Sequence, residues 1–374
     1  MLVYEAYIDE VFEMVEEDLG YRKIQRTGRS SYIISLPKEW ITSNELDKGN
    51  QIAFKELEDS SLLLVPRGVL ESREDAATQK EYFVQVSADD DPQSLSQRIR
   101  SLYAVGADLI VFKFKKDANS LELRSVIRNT ARLLLGAEII EESSSEIKMQ
   151  ILIGHIEFPI EKAVRRMFVL ALSMDKDVVS SLESVDIERL QNVIECDNDL
   201  DRLNQYVIRQ LKYGVVHKQY REMGFESPKE FLGYRIVSKN IENVGDNAIT
   251  LAKNILILQK MISEKVVSLP ETIDEEILSS VLKVNSLSHE LFEESLMALF
   301  KRDYAMANRT IVTFLSRGVQ LEKDAVTSLL TKKLDPNVAY VLMLVLESSR
   351  KMMEYSRDIA EVTLNRTVEE ISKF

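Results

Sequence analysis

The chain has 374 residues, beyond the roughly 250 to 300 at which one hydrophobic core stops growing, so more than one domain is expected. Hydrophobic residues make up 45% and charged residues 29%, with only 12 Gly and 7 Pro, which excludes disordered and collagen-like chains and favours a mainly helical protein. A formal charge of −13 argues against indiscriminate binding to nucleic acid or anionic lipid, and the lone Cys196 excludes an internal disulfide, a thiolate metal cage and a redox pair.

Residues 1–20 carry seven acids (Glu5, Asp9, Glu10, Glu13, Glu16, Glu17, Asp18) and no Lys or Arg, the opposite of a signal peptide. Val3, Tyr7, Val11, Met14 and Val15 recur at helical spacing among them, so an acidic amphipathic helix is expected, either solvated or docked on a partner. No stretch of the chain approaches the roughly 18 uninterrupted apolar residues of a membrane span. No membrane insertion and a reducing, cytoplasmic setting are therefore expected.

Residues 21–67 turn to short β-type runs at Tyr32–Ile34, Gln51–Leu57 and Leu62–Val65, separated by Thr27-Gly28, Lys48-Gly49 and Asp59-Ser60. Pro37 suits the first position of a helical turn between the first two runs. A β unit this small has little core of its own, so a second copy is expected to complete it. Between Tyr21 and Lys38 stand five cations (Arg22, Lys23, Arg26, Arg29, Lys38) and no acid. Any contact with DNA belongs here.

Residues 81–153 alternate strand and helix: Tyr82–Val86, Pro92–Val105, Leu109–Phe114, Ser120–Leu135, then strands Ala137–Ile140 and Ile147–Ile153. This pattern predicts a small α/β sandwich, with Gly106 and Gly136 ending the two helices. It reads as a structural spacer or as a small-ligand or dimerisation module. No phosphate-cradling glycine loop is present in it.

From Pro159 onward apolar residues keep helical spacing, with breaks at Ser184–Asp186, Gly214–Pro228, Ser268–Pro270 and Lys332–Pro336, predicting about six long helices in two groups of three. Ala171–Asp177 echoes Ala298–Asp303 as the end of each first helix, the mark of a duplicated unit. Asp197 and Asp201 share a helix face, as do Glu242 and Asp246, and such pairs suit hard cations. Asp197 and Asp201 fall at the edge of their helix's apolar stripe. Glu242 and Asp246 lie roughly 140 to 180° from the stripe of Ile241, Val244, Ala248, Leu251 and Ile255, which on its own describes a solvated face. His155, His217 and His289 share no ligand spacing. With no nucleophile elbow, Walker loop or Cys/His pair, the chain is not expected to be an enzyme.

Two resemblances sharpen this reading. Arg22–Tyr32, Ser35-Leu36-Pro37-Lys38-Glu39-Trp40, Leu46-Asp47-Lys48-Gly49 and Ser61–Leu64 resemble, in order, the AbrB/SpoVT swapped-hairpin DNA-binding domains. That resemblance implies an intertwined homodimer with Arg22, Lys23, Arg26, Arg29 and Lys38 facing DNA. Lys239–Ala248, with Asp197–Asp201 as its partner, resembles the Glu-x-x-Gly-Asp stretch of the PhoU phosphate-uptake regulators, which are built from two three-helix repeats. It implies a divalent metal or iron held by Asp197, Asp201, Glu242 and Asp246. The corresponding positions of the second repeat, Gly318, Glu322, Arg350 and Glu354, lack half the carboxylates and gain a cation, which puts a second equivalent site in doubt.

The combination resembles archaeal phosphate-uptake regulators. The expected architecture is multidomain α+β: the acidic helix (1–20), a swapped-hairpin β domain (21–67), the α/β sandwich (81–153) and PhoU-like tandem three-helix bundles (159–267 and 271–374). The expected function is DNA-binding transcriptional regulation of phosphate uptake. The alternative is a PhoU-type adaptor that leaves DNA alone and contacts a phosphate transporter ATPase or a sensor kinase.

Overall fold

The computed structural model describes residues 21–28, 31–56, 60–68, 80–115, 121–153, 158–182, 186–217, 219–265 and 275–372. The expected helix over 1–20, Arg29, His155 and the breaks near 184 and 268–270 lie outside the described residues. The chain divides into two compact units, Met1–Gln79 and Lys80–Phe374.

In the first unit, β1 (Gln25–Thr27) and β2 (Ser31–Ile33) pair antiparallel with Arg26 opposite Tyr32. Gly28 leaves β1 at φ +63°, a left-handed turn conformation that a glycine adopts without steric cost. Helix α1 (Lys38–Ser43) follows, and Pro37 sits at its N-cap with ψ 135°, one position earlier than expected. Strands β3 (Ile52–Glu56) and β4 (Leu62–Pro66) form a second antiparallel hairpin, Ile52 opposite Pro66. The two hairpins belong to separate two-stranded sheets. Among this unit's described residues, only Val65 and Pro66 are buried, whereas Ile24, Tyr32, Ile33, Phe54 and Leu62 are each more than half exposed.

The second unit opens with β5 (Glu81–Val86), α2 (Pro92–Ala104), β6 (Leu109–Phe114), α3 (Leu121–Arg132), β7 (Ala137–Glu142) and β8 (Glu146–Ile151). The sheet order is β5-β6-β8-β7, with β5 and β6 parallel and the other pairs antiparallel. Asp91 caps α2 by accepting from the Ser94 amide, and Pro92 takes the first helical position. Gly106 and Gly136, at φ +95° and +74°, follow the two helices. One face of the sheet (Val84, Val86, Ile110, Phe112, Ile147, Met149) forms a core with Ile99 and Tyr103 of α2 and Ile127 of α3.

The remainder is helical: α4 (Ile160–Ser180), α5 (Ile187–His217), α6 (Glu230–Ser263), α7 (Glu275–Lys301), α8 (Tyr304–Thr313), α9 (Val319–Thr331) and α10 (Pro336–Ile371), with α8 passing into α9 through a π-helical turn at Phe314–Gly318. One hydrophobic core runs through both groups of three. Two helix ends fall a few residues later than expected. Helix α5 continues past Gly214, where a Cβ would stand 2.6 Å from the Phe231 ring and 2.7 Å from Met223 Sδ; this glycine admits neighbours and ends nothing. Ala171–Asp177 lies inside α4, which runs on to Ser180. Asp175, fully buried there, accepts hydrogen bonds from Asn285, His289 and Ser348 of α7 and α10, so it is a contact between the two groups. Asp303, the last residue of the echoing segment, caps α8 by accepting from the Met306 amide.

The α/β segment is fastened to the helices by Arg209 of α5. Its buried guanidinium donates to the Tyr103 and Ala107 carbonyls (2.9 and 2.7 Å) and to Asp108 Oδ1 (2.8 Å). The Tyr103 carbonyl lies in the last turn of α2, so a cation meets the negative end of a helix.

Candidate nucleic-acid interface and carboxylate cluster

Arg22, Lys23, Arg26 and Lys38 are all exposed. Arg26 lies on β1, with Arg22 and Lys23 leading into that strand, and Lys38 opens α1. Arg22 donates from Nη1 to its neighbour's carbonyl, Tyr21 O, at 3.0 Å. Their exposure leaves the cationic groups accessible to a polyanion, for which charge-assisted contacts to phosphate oxygens are the dominant interaction. The apolar residues of the same hairpins, Ile24, Tyr32, Ile33, Phe54 and Leu62, are exposed with them.

In the second unit α5 and α6 pack side by side. Gly245 favours this approach: a Cβ there would stand 2.2 Å from Leu200 Cδ2, so a larger residue would force the buried Leu200 side chain to shift. The close approach brings the four sequence-predicted acids into one field. Burial pushes the Asp197 carboxyl up, and the Asp246 and Glu242 carboxylates across the helix pair push it further, against Lys253 and Arg100. Burial likewise raises Asp201, with Asp197 and Asp246 adding to it and Arg100 opposing. Burial raises Glu242 as well; a hydrogen bond from Lys239 lowers it and Asp246 raises it.

Glu242 is not on a solvated face. Its side chain is 14% exposed. The single-stripe reading misplaced it because α6 packs against α4, α5 and α10, so more than one face of the helix is covered. Asp246 remains exposed.

Cations attend the cluster. Arg100 reaches across from α2, its Nη1 3.6 Å from Asp201 Oδ2, and Lys239 is paired with Glu242. Lys239 stands three residues before Glu242 and was legible as a helix pair. Arg100 comes from a distant segment and was not. Among the described residues no three Asp, Glu, His or Cys side chains stand in a metal-ligating arrangement. The donor set is nevertheless all oxygen and carries an excess of negative charge, the chemistry of a hard divalent cation. Loading would require Asp201 and Glu242 to turn from Arg100 and Lys239.

At the corresponding place in the second group, the Arg350 guanidinium is bound by Glu347 and Glu354 of its own helix and lies 3.7 Å from Glu322 on α9. A fixed internal cation thus stands among those carboxylates. His217 stacks on Tyr213 and donates from Nδ1 to the Tyr213 carbonyl, and His289 donates to Asp175.

Comparison with known proteins agrees with this layout. Residues 164–255 match the family described as PhoU domain, and residues 25–70 match the family described as "Antidote-toxin recognition MazE, bacterial antitoxin". The first match spans α4 to α6 and contains all four acids; the second spans both hairpins and α1. Similar solved structures include the phosphate transport system regulatory protein PhoU from Streptococcus pneumoniae, at 14% identity and TM-score 0.45 over 57% of this chain and 96% of that one. PhoU from Pseudomonas aeruginosa is similar at 16% identity and TM-score 0.42, over 56% and 96%. No curated protein sequence matches the chain. No described helix is long and apolar enough to cross a membrane. The chain thus matches a MazE-type antitoxin model over residues 25–70 and, behind it, the PhoU-domain model over residues 164–255.

Proposed function

We propose that this chain is a homodimeric, cytoplasmic DNA-binding regulator of phosphate uptake, with a basic β unit that reads DNA and an acidic helical domain that senses a cation or a protein partner. The observation that carries this reading is the acid-free cationic run ending at Lys38, whose described cations Arg22, Lys23, Arg26 and Lys38 are exposed together with apolar hairpin residues in a chain of net charge −13. A second copy covering Tyr32, Phe54 and Leu62 would pool two such runs into one surface, while the acidic remainder repels the duplex. Arg22, Lys23, Arg26, Arg29 and Lys38 would then hold phosphates, with one or two arginines reaching guanine edges.

In the helical domain, Asp197, Asp201, Glu242 and Asp246 would hold a divalent cation or iron. A bound ion would relieve the mutual repulsion of these carboxylates and displace Arg100 and Lys239 from them. Because Arg100 belongs to α2, loading would be felt in the α/β segment.

The test is a binding isotherm series on genomic DNA sites recovered under phosphate starvation and sufficiency. Arg26→Ala and Arg29→Ala should each weaken binding and lower the slope of log K against log salt by about 1 per phosphate contact per protomer. Unchanged isotherms over the salt series would exclude the DNA reading. Recovery of transporter ATPase subunits or a sensor kinase with no DNA sites would favour an adaptor, the reading that the PhoU match supports by itself.

A further inference from the structure

A cleft of about 540 Å³ opens between α3 and β7 of the α/β segment and Arg202 of α5. Three arginines line it, Arg128, Arg132 and Arg202, in a chain of net charge −13. Their engagement differs. Arg128 donates twice to Glu142, and the buried Arg124 shares that carboxylate, so Glu142 is neutralised from two sides. Arg132 is exposed and has no hydrogen-bond or ion-pair partner among the described residues. Arg202 stands 3.7 Å from Asp199, too far for a hydrogen bond, and its solvent-shielded Nε is without a partner among the described residues. Glu138 is the remaining acid on the wall, and Leu134 and Ile139 supply an apolar side.

Guanidinium groups with unused donors, facing one cavity, are suited to bidentate recognition of a phosphate group. The volume falls in the range of small-molecule sites and exceeds what a bare oxyanion fills, and the apolar wall can take an uncharged part of a larger ligand. We propose that this cleft binds a phosphate-bearing small molecule of up to nucleotide size, its phosphate held by Arg132 and Arg202. The site uses no residue of the N-terminal unit and stands or falls apart from the DNA reading. Its consequence is mechanical: a ligand there bridges the α/β segment to α5, the helix that also carries Asp197 and Asp201.

Isothermal calorimetry on the full-length chain, without divalent ions, would titrate inorganic phosphate, AMP and ATP separately. The expected result is saturable binding at one site per chain for at least one of the three, weakened roughly tenfold or more by Arg132→Ala and by Arg202→Gln. Arg165→Ala, which breaks an exposed ion pair on α4, serves as the control and should leave binding unchanged. Binding of inorganic phosphate as tight as that of either nucleotide would identify the free anion as the ligand; a clear preference for AMP or ATP would identify an organic phosphate. Absence of saturable heat from all three anions up to about 1 mM, or binding that survives both cleft variants within about twofold, overturns the proposal. Arg132 is exposed and Arg202→Gln keeps a polar side chain, so matching circular dichroism spectra should accompany either outcome.

Discussion

A single buried carboxylate, Asp175, joins the two helical groups through His289, Asn285 and Ser348. Asp175→Ala removes the acceptor and leaves those donors buried without it, a loss of about 2 to 4 kcal/mol measurable as a lower midpoint in urea. The position was visible in the sequence only as part of an internal echo, because its partners lie more than a hundred residues away. Glu142 offers a pH signature. The Arg128 hydrogen bond holds its carboxyl below the ordinary range, burial opposes this, and the Arg124 hydrogen bond adds to it. Its folded value is thus below its unfolded one, so its stabilisation is present above the unfolded value and is lost as pH falls through the folded value. In Glu142→Gln the acid limb of stability against pH should be shallower, as read by melting temperature at successive pH values.

Helix contacts explain why acids visible at i,i+4 spacing become a cluster. Gly245 lets α5 and α6 close together, and Gly245→Ala should cost about 1 to 3 kcal/mol by overpacking against Leu200. The same variant should lower any metal content, as measured by elemental analysis of protein purified without chelators and compared with an Asp197→Asn plus Asp246→Asn variant. Equal metal in wild type and double variant would remove the four acids as ligands. Arg209→Met should release the α2 carbonyls at a cost of about 2 to 4 kcal/mol and raise hydrogen exchange at the end of α2. The alternation of strand and helix over 81–153 was legible because period and glycine punctuation are local properties of the chain. Arg100, Arg209 and the covered side of Glu242 were not, since each depends on which distant element packs there.

At the scale of the whole molecule, the two units depend on different sources of stability. The second has a continuous helical core and a separate sheet core. The first has two unconnected hairpins and only Val65 and Pro66 buried among its described residues, with Tyr32, Phe54 and Leu62 open. Phe54→Asp should therefore leave the cooperative melt of the second unit in place while shifting sedimentation from dimer to monomer and abolishing DNA binding. The resemblance in 22–64 implies such a pairing through turns and a basic strand that are short-range signals, whereas composition alone indicated only that the unit was too small to stand by itself.

If the hairpins borrow their interior from a twin, then order in that unit follows mass action. A cell that thinned its supply of this polypeptide would lose reading heads faster than it lost chains. Occupancy of weak genomic sites would then respond to expression with a threshold, and no effector would be needed to produce it.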